Sequence, residues 1–118
     1  MVHNFKELKV WQISRELVKN IYLATLEFPH EEKYGLISQI RRASISVSSN
    51  IAEGSGRGTN KDFSRFLNIS LGSAYELETQ LILAFDLEII KQQIFENILT
   101  QINEVQKMLH GLIRSLNK

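Results

Sequence analysis

Apolar residues recur along this chain in steps of three and four, in four separate runs. In the first, Trp11, Ser14, Val18, Ile21, Thr25 and Phe28 form a line, with Val10, Ile13 and Leu17 beside it. Residues at this spacing fall on one face of a 3.6-residue turn, so the run predicts an amphipathic helix over about 6–27. Pro29 breaks the pattern, and the acidic pair Glu31 and Glu32 suits the positive end of a following helix. That second helix is expected over 31–54, with Leu36, Ile40, Ala43, Val47 and Ile51 on its apolar face. The third, over 61–85, holds Phe63, Leu67, Ser70, Ala74, Leu77, Leu81 and Ala84 at a four-three repeat, the spacing of left-handed bundle packing. The fourth, over 91–116, carries two apolar lines, Ile94, Ile98, Ile102, Val105, Leu109, Leu112 and Leu116, and Phe95, Leu99, Met108 and Ile113.

No period-two pattern is sustained, so the reading is all-α: one domain over 1–118, an antiparallel up-down-up-down four-helix bundle. A single proline and six glycines leave room for such long elements. The doubled stripe of the last helix is wider than one four-helix core covers, which points to self-association.

Small residues mark a second pattern. Ala43, Ser44, Ser46, Ser48, Ser49 and Ala52 leave one part of the second helix almost without bulk, and "SLGSAYELE" does the same in the third. A mid-helix glycine costs about 1 kcal/mol relative to alanine unless packing repays it. Gly72, Ser73 and Ala74 are therefore expected to meet the side of the second helix that holds Ser44 and Ser48, in a close crossing.

Composition narrows the function. With no cysteine there is no disulfide framework and no thiolate metal site. "MVHNFKELKVWQ" does not read as a signal peptide, and the expectation is a cytoplasmic protein. The most apolar window, "LILAFDLEII", is too short for a membrane span and is interrupted by Asp86 and Glu88. Fourteen Lys and Arg against thirteen Asp and Glu leave a formal charge of +1, so attraction to a polyanion must come from local clustering.

The stretch "NIAEGSGRGTNKDF" raises the question of a phosphate loop. A dinucleotide fingerprint needs a strand before its glycines, and a Walker loop needs Gly-Lys-Ser/Thr leading into a helix. A helix precedes these glycines, and Lys61 follows Thr59 and Asn60, so both motifs fail. The stretch reads as a helix joint in which Gly54 takes a left-handed conformation to end one helix, Thr59 or Asn60 caps the next, and Asp62 sits in its first turn. His3, His30 and His110 are scattered, no metal-ligand spacing occurs, and no serine lies in a nucleophile elbow. No catalytic residue, metal or cofactor is expected, and the chain reads as non-enzymatic.

Two sets of charges stand out. Arg57, Lys61 and Arg65 gather at the joint, where a helix N-terminus already favours anions, and they are the candidate phosphate contacts; the competing reading is a solvated rim paired with Glu53 and Asp62. Arg41 and Arg42 lie in the small-residue helix and Glu76 and Glu78 in the next, so an ion-pair network between helices or subunits is expected.

"QIRRA", "NIAEGSGRG" and "GSAYELE" stand in the order and spacing of the 23S rRNA intervening-sequence proteins, which the chain resembles. The likeness extends to "FKELKVWQ" and "MLHGLIRSL", nearly the whole chain. It implies an antiparallel four-helix protomer assembled as a homopentamer, a short barrel with a central channel. The accessory variability protein of diversity-generating retroelements is similar in fold, and there a basic surface engages nucleic acid and a reverse transcriptase. The near-neutral charge of this chain departs from those basic relatives, although five copies would multiply any local patch. The expected function is an RNA-associated accessory factor; the alternative is an adaptor for a polymerase or another polypeptide, without direct contact to nucleic acid.

Overall fold

The computed structural model describes residues 3–32 and 35–118. Four long helices make up the fold: α1 (Lys9–Thr25), α2 (Leu36–Ser55), α3 (Asn60–Asp86) and α4 (Gln92–Leu116). Short 3-10 turns occupy Phe5–Glu7 and His30–Glu32, and there is no strand among the described residues. The ensemble measures 45 × 23 × 20 Å, close to the length of its longest helix.

Each helix touches two neighbours, α1 with α2 and α4, and α3 with α2 and α4. Among the described residues no Cα–Cα approach within 8 Å links the diagonal pairs. The shared core follows the predicted lines: Leu17 and Ile21, Ile40 and Val47, Leu67 and Leu77, and Ile102 and Leu109 are each at most 1% exposed. Burying a side chain of this size is worth about 1.5–3 kcal/mol, which is why the period dictates which face turns inward.

Expected and observed boundaries differ most at the starts of the first two helices. The first helix begins at Lys9 rather than Lys6, because Asn4 caps a 3-10 turn instead and accepts from the Lys6 amide at 3.1 Å. The second begins at Leu36, after the His30–Glu32 turn; positions 33 and 34 of its expected span lie outside the described residues. The third ends with the Ile89 amide bonded to the Ala84 carbonyl and the Glu88 amide to the Phe85 carbonyl. That six-to-one and five-to-two pair is a Schellman stop, and it holds Glu88 at φ 61°, where glycine would be at ease.

The α2–α3 seam is the most extensive contact. Ser70, fully buried in the third helix, donates to the Val47 carbonyl of α2 at 2.8 Å, and Ser46 bonds Ser73 at 2.8 Å. Gly54 lets the backbones close at the seam's other end: a Cβ built there lies 2.7 Å from Phe66 Cβ and 3.0 Å from Phe63 Cδ1. Gly54 is helical, inside α2, and no glycine among the described residues has positive φ. Its expected role as a left-handed stop is thereby corrected: the residue is needed for closeness, not for a bend.

Gly72 is corrected in the opposite sense. It is exposed, and a Cβ there meets nothing within 4 Å, so it takes no part in the crossing of α2 and α3. Of its expected companions, Ser73 does reach the seam, and Ala74 is fully buried in the core. Ser44 is buried against its own helix, donating to the Arg41 carbonyl at 2.8 Å, and Ser48 faces α1, bonding Ser14 at 2.9 Å. The serine-rich side of α2 is thus shared between two neighbours.

Candidate nucleic-acid interface

The joint between α2 and α3 is short, from Gly56 to Thr59. Thr59, with extended backbone at φ −131° and ψ 152°, caps the third helix by accepting the Asp62 amide at 3.1 Å. The cap leaves the first turn of α3 at the surface, with its partial positive charge directed outward.

Three cations surround that turn. Arg65 Nε donates to Asp62 Oδ1 at 3.0 Å, and Arg57 Nε lies 3.5 Å from Asp62 Oδ2, so one carboxylate serves both guanidinium groups. Both groups also lie over the Phe66 ring, at 4.6 Å for Arg57 and 4.5 Å for Arg65. Stacking on an aromatic face leaves the edge N–H donors of a guanidinium free for a phosphate oxygen. Lys61 is exposed on the rim of a depression that Thr59, Asp62, Ser64, Arg65 and Asn68 also line. The structure therefore brings Arg57 and Arg65 together and sets Lys61 beside them. The partly exposed Asp62 pairs are worth little in stability, since water and salt screen them.

Phe66 escaped the sequence reading because it stands one position before the buried repeat at Leu67; the signal for it was its place directly after Arg65. The N-terminal segment also comes to this region. The His3 amide donates to the Ser55 carbonyl at 2.8 Å, its ring lies 5.1 Å from that of Phe63, and Lys6 lies over Phe5.

The expected network of Arg41, Arg42, Glu76 and Glu78 does not form within the single chain. Arg41 turns to the first helix, where its Nε donates to Thr25 Oγ1 at 2.9 Å and its guanidinium lies 4.4 Å over Tyr22. Glu78 turns to the fourth helix, accepting from Gln106 Nε2 at 2.8 Å. Arg42 and Glu76 line one surface cavity together without an ion pair. The physical reason is angular: neighbours along a helix diverge by about 100°, so adjacent charges serve different partners.

Of the histidines, His110 meets Tyr75 at 2.9 Å and His3 meets Phe63, far apart in the chain. Among the described residues no group of three or more His, Cys, Asp or Glu side chains could hold a metal ion, and no helix is long and apolar enough to cross a membrane.

A bundle of four helices, with Arg57, Lys61 and Arg65 exposed where the second turns into the third, defines the class. The particular family follows from comparison: a model of the 23S rRNA-intervening sequence protein family matches residues 6–111, and the chain belongs to that family. Among solved structures, it is similar to a protein of unknown function from the S23 ribosomal protein family of Bacteroides thetaiotaomicron VPI-5482, at 29% identity and a TM-score of 0.81. That likeness covers 89% of this chain and 95% of the other. No curated protein matches.

Proposed function

We propose that the chain is a non-catalytic cytoplasmic accessory protein whose antiparallel up-down-up-down bundles assemble into a homo-oligomer, a pentamer as its family resemblance implies, and hold RNA at one basic end. The topology is supported by the sense of the cross-helix contacts. Ser14 meets Ser48 and Thr25 meets Arg41; Gly54 meets Phe63 and Val47 meets Ser70; Tyr75 meets His110 and Phe85 meets Phe95. In each pair of helices one number falls as the other rises.

One observation carries the RNA reading. With this topology, residues 3–15, 48–71 and 106–118 share one end, and they contain nine basic against three acidic side chains; the rest of the chain holds five basic against ten acidic. A net charge of +1 thus conceals a bundle that is strongly basic at the end bearing Arg57, Lys61 and Arg65 and acidic at the other. Such a surface attracts a polyanion by counterion release, and repetition in an oligomer multiplies it. The neighbour's S23 ribosomal name and the family's 23S rRNA name agree with this chemistry.

Titration of a structured RNA at two salt concentrations tests it. Binding should weaken steeply as salt rises, and Arg57→Ala, Lys61→Ala and Arg65→Ala should each flatten the salt slope by about one. No binding even at low salt would sink the proposal. A polypeptide partner is the second reading, favoured by exposed Leu23, Leu26 and Leu87 at 55%, 71% and 62% away from the basic end. Pull-down after nuclease treatment separates the two, because only a protein partner is retained.

A further inference from the structure

The outer face of the α2–α3 pair is unfinished in the protomer. Gln39, Arg42, Ala43, Ser46, Glu76 and Gln80 line a cavity there. Gln80 is 8% exposed, and its Oε1 is buried with no hydrogen-bond partner. An unpaired buried acceptor is costly and calls for an explanation. Arg42 and Glu76 border the same space, and neither has an ion-pair partner among the described residues.

Gly72 adds an independent observation. It lies in the interior of α3, where glycine weakens a helix, and nothing in the protomer approaches the place its Cβ would take. It falls between Ile69 and Glu76 at steps of three and four, and Leu83 continues the row seven residues on; Ile69 is 43% exposed and Leu83 47%. The row therefore has an apolar residue at each end, an unpaired acid, and a gap the width of a side chain. Glycine at such a point permits close approach of another backbone.

We propose that this face is the seat of a second copy of the chain, which fills the gap over Gly72, donates a hydrogen bond to Gln80 Oε1 and brings counter-charges to Arg42 and Glu76. This rests on the homo-oligomeric reading and names the surface that serves it. A nucleic acid does not fit, because Glu76 beside the cavity repels phosphate and the local charge sums to zero. A second copy fits because every copy carries both signs of charge and an apolar stripe wider than its own core covers: Ile94, Met108 and Leu112 remain only partly buried.

Light scattering after size exclusion, over a series of protein concentrations, tests the assignment on wild type, Gly72→Ala, Gly72→Leu and Gln80→Leu. Inside the protomer these changes remove no bond, and Gly72→Ala improves helix propensity, so a purely intramolecular role predicts equal or higher thermal stability with unchanged mass. The proposal predicts unchanged helical circular dichroism and weaker association, with the dissociation constant raised at least tenfold by Gly72→Leu and several-fold by Gln80→Leu. Wild type heavier than the 13.6 kDa protomer together with variants of unchanged mass would overturn this face while leaving the oligomer intact. A wild type that stays at 13.6 kDa at every concentration would overturn both. Should Gly72→Leu lose helicity, Gly72→Ala and Gln80→Leu decide: both must still weaken association, since the alanine methyl meets nothing in the protomer.

Discussion

Replacing Gly54 by alanine adds one methyl group at the tightest point of the α2–α3 seam. The new Cβ would stand 2.7 Å from Phe66 Cβ, 3.0 Å from Phe63 Cδ1 and 3.3 Å from the Phe63 carbonyl, where ordinary contact begins at 3.4 Å. No rotamer relieves the first of these, because a Cβ moves only with its backbone, and the Phe63 ring is 1% exposed with nowhere to turn. The two helices must part by several tenths of an ångström, which also stretches the Ser70 bond to Val47. Overpacking of this kind costs about 1–3 kcal/mol, and the gain in helix propensity returns about 1 kcal/mol. A 2.7 Å approach of two Cβ atoms belongs at the upper end of that cost, so the expected net loss is about 2 kcal/mol, a fall in Tm of about 6–12 °C for a domain of this size. Urea unfolding followed by circular dichroism, at fixed protomer concentration so that association does not shift the midpoint, reads it. Gly111→Ala is the matched control: its Cβ meets only the mobile end of Arg114 at 3.9 Å, so the same methyl should stabilise by up to about 1 kcal/mol. A Gly54→Ala midpoint at or above wild type would refute the close-approach argument.

Three further outcomes follow from particular contacts. Glu88→Gly relieves a left-handed backbone at φ 61° and should raise stability by about 0.5–1 kcal/mol in the same urea assay; a loss would mean that the Glu88 side chain contributes more than its strain costs. Arg41→Ala and Thr25→Val should each destabilise by about 1 kcal/mol, and a double-mutant cycle should show coupling of about 0.5–1.5 kcal/mol, whereas strict additivity would deny the hydrogen bond between them. Asp62→Asn removes the carboxylate shared by Arg57 and Arg65, so RNA affinity at low salt should rise several-fold with a steeper salt dependence. If affinity falls instead, Asp62 serves to hold the two guanidinium groups in a binding geometry.

Much of the bundle was legible because a helix is a local object. The four-three spacing from Phe63 to Ala84 states which face of α3 is buried, and Thr59 or Asn60 ahead of Asp62 brackets where it starts. The same count, carried one step further, separates the two glycines: Gly54 continues the line of Val47 and Ile51, while Gly72 stands two positions from Ala74, on the far side of its helix. Side-chain partners were harder to read, since Glu76 and Glu78 point to opposite sides of one helix and cannot share a counterion. Arg41 and Arg42 diverge in the same way.

By itself, then, the sequence determined the four helices, their apolar faces, a cap at Thr59 or Asn60 and the family signature, all of which depend on residues within a turn or two of one another. Only the tertiary structure decided that Arg57 and Arg65 share Asp62 and Phe66, and that Arg41 answers to Thr25 and Tyr22. These outcomes depend on how far each helix is rotated about its axis and which neighbour it faces. Those angles are set by the packing of the whole core, because a rotation of one helix re-pairs every polar side chain along its flanks.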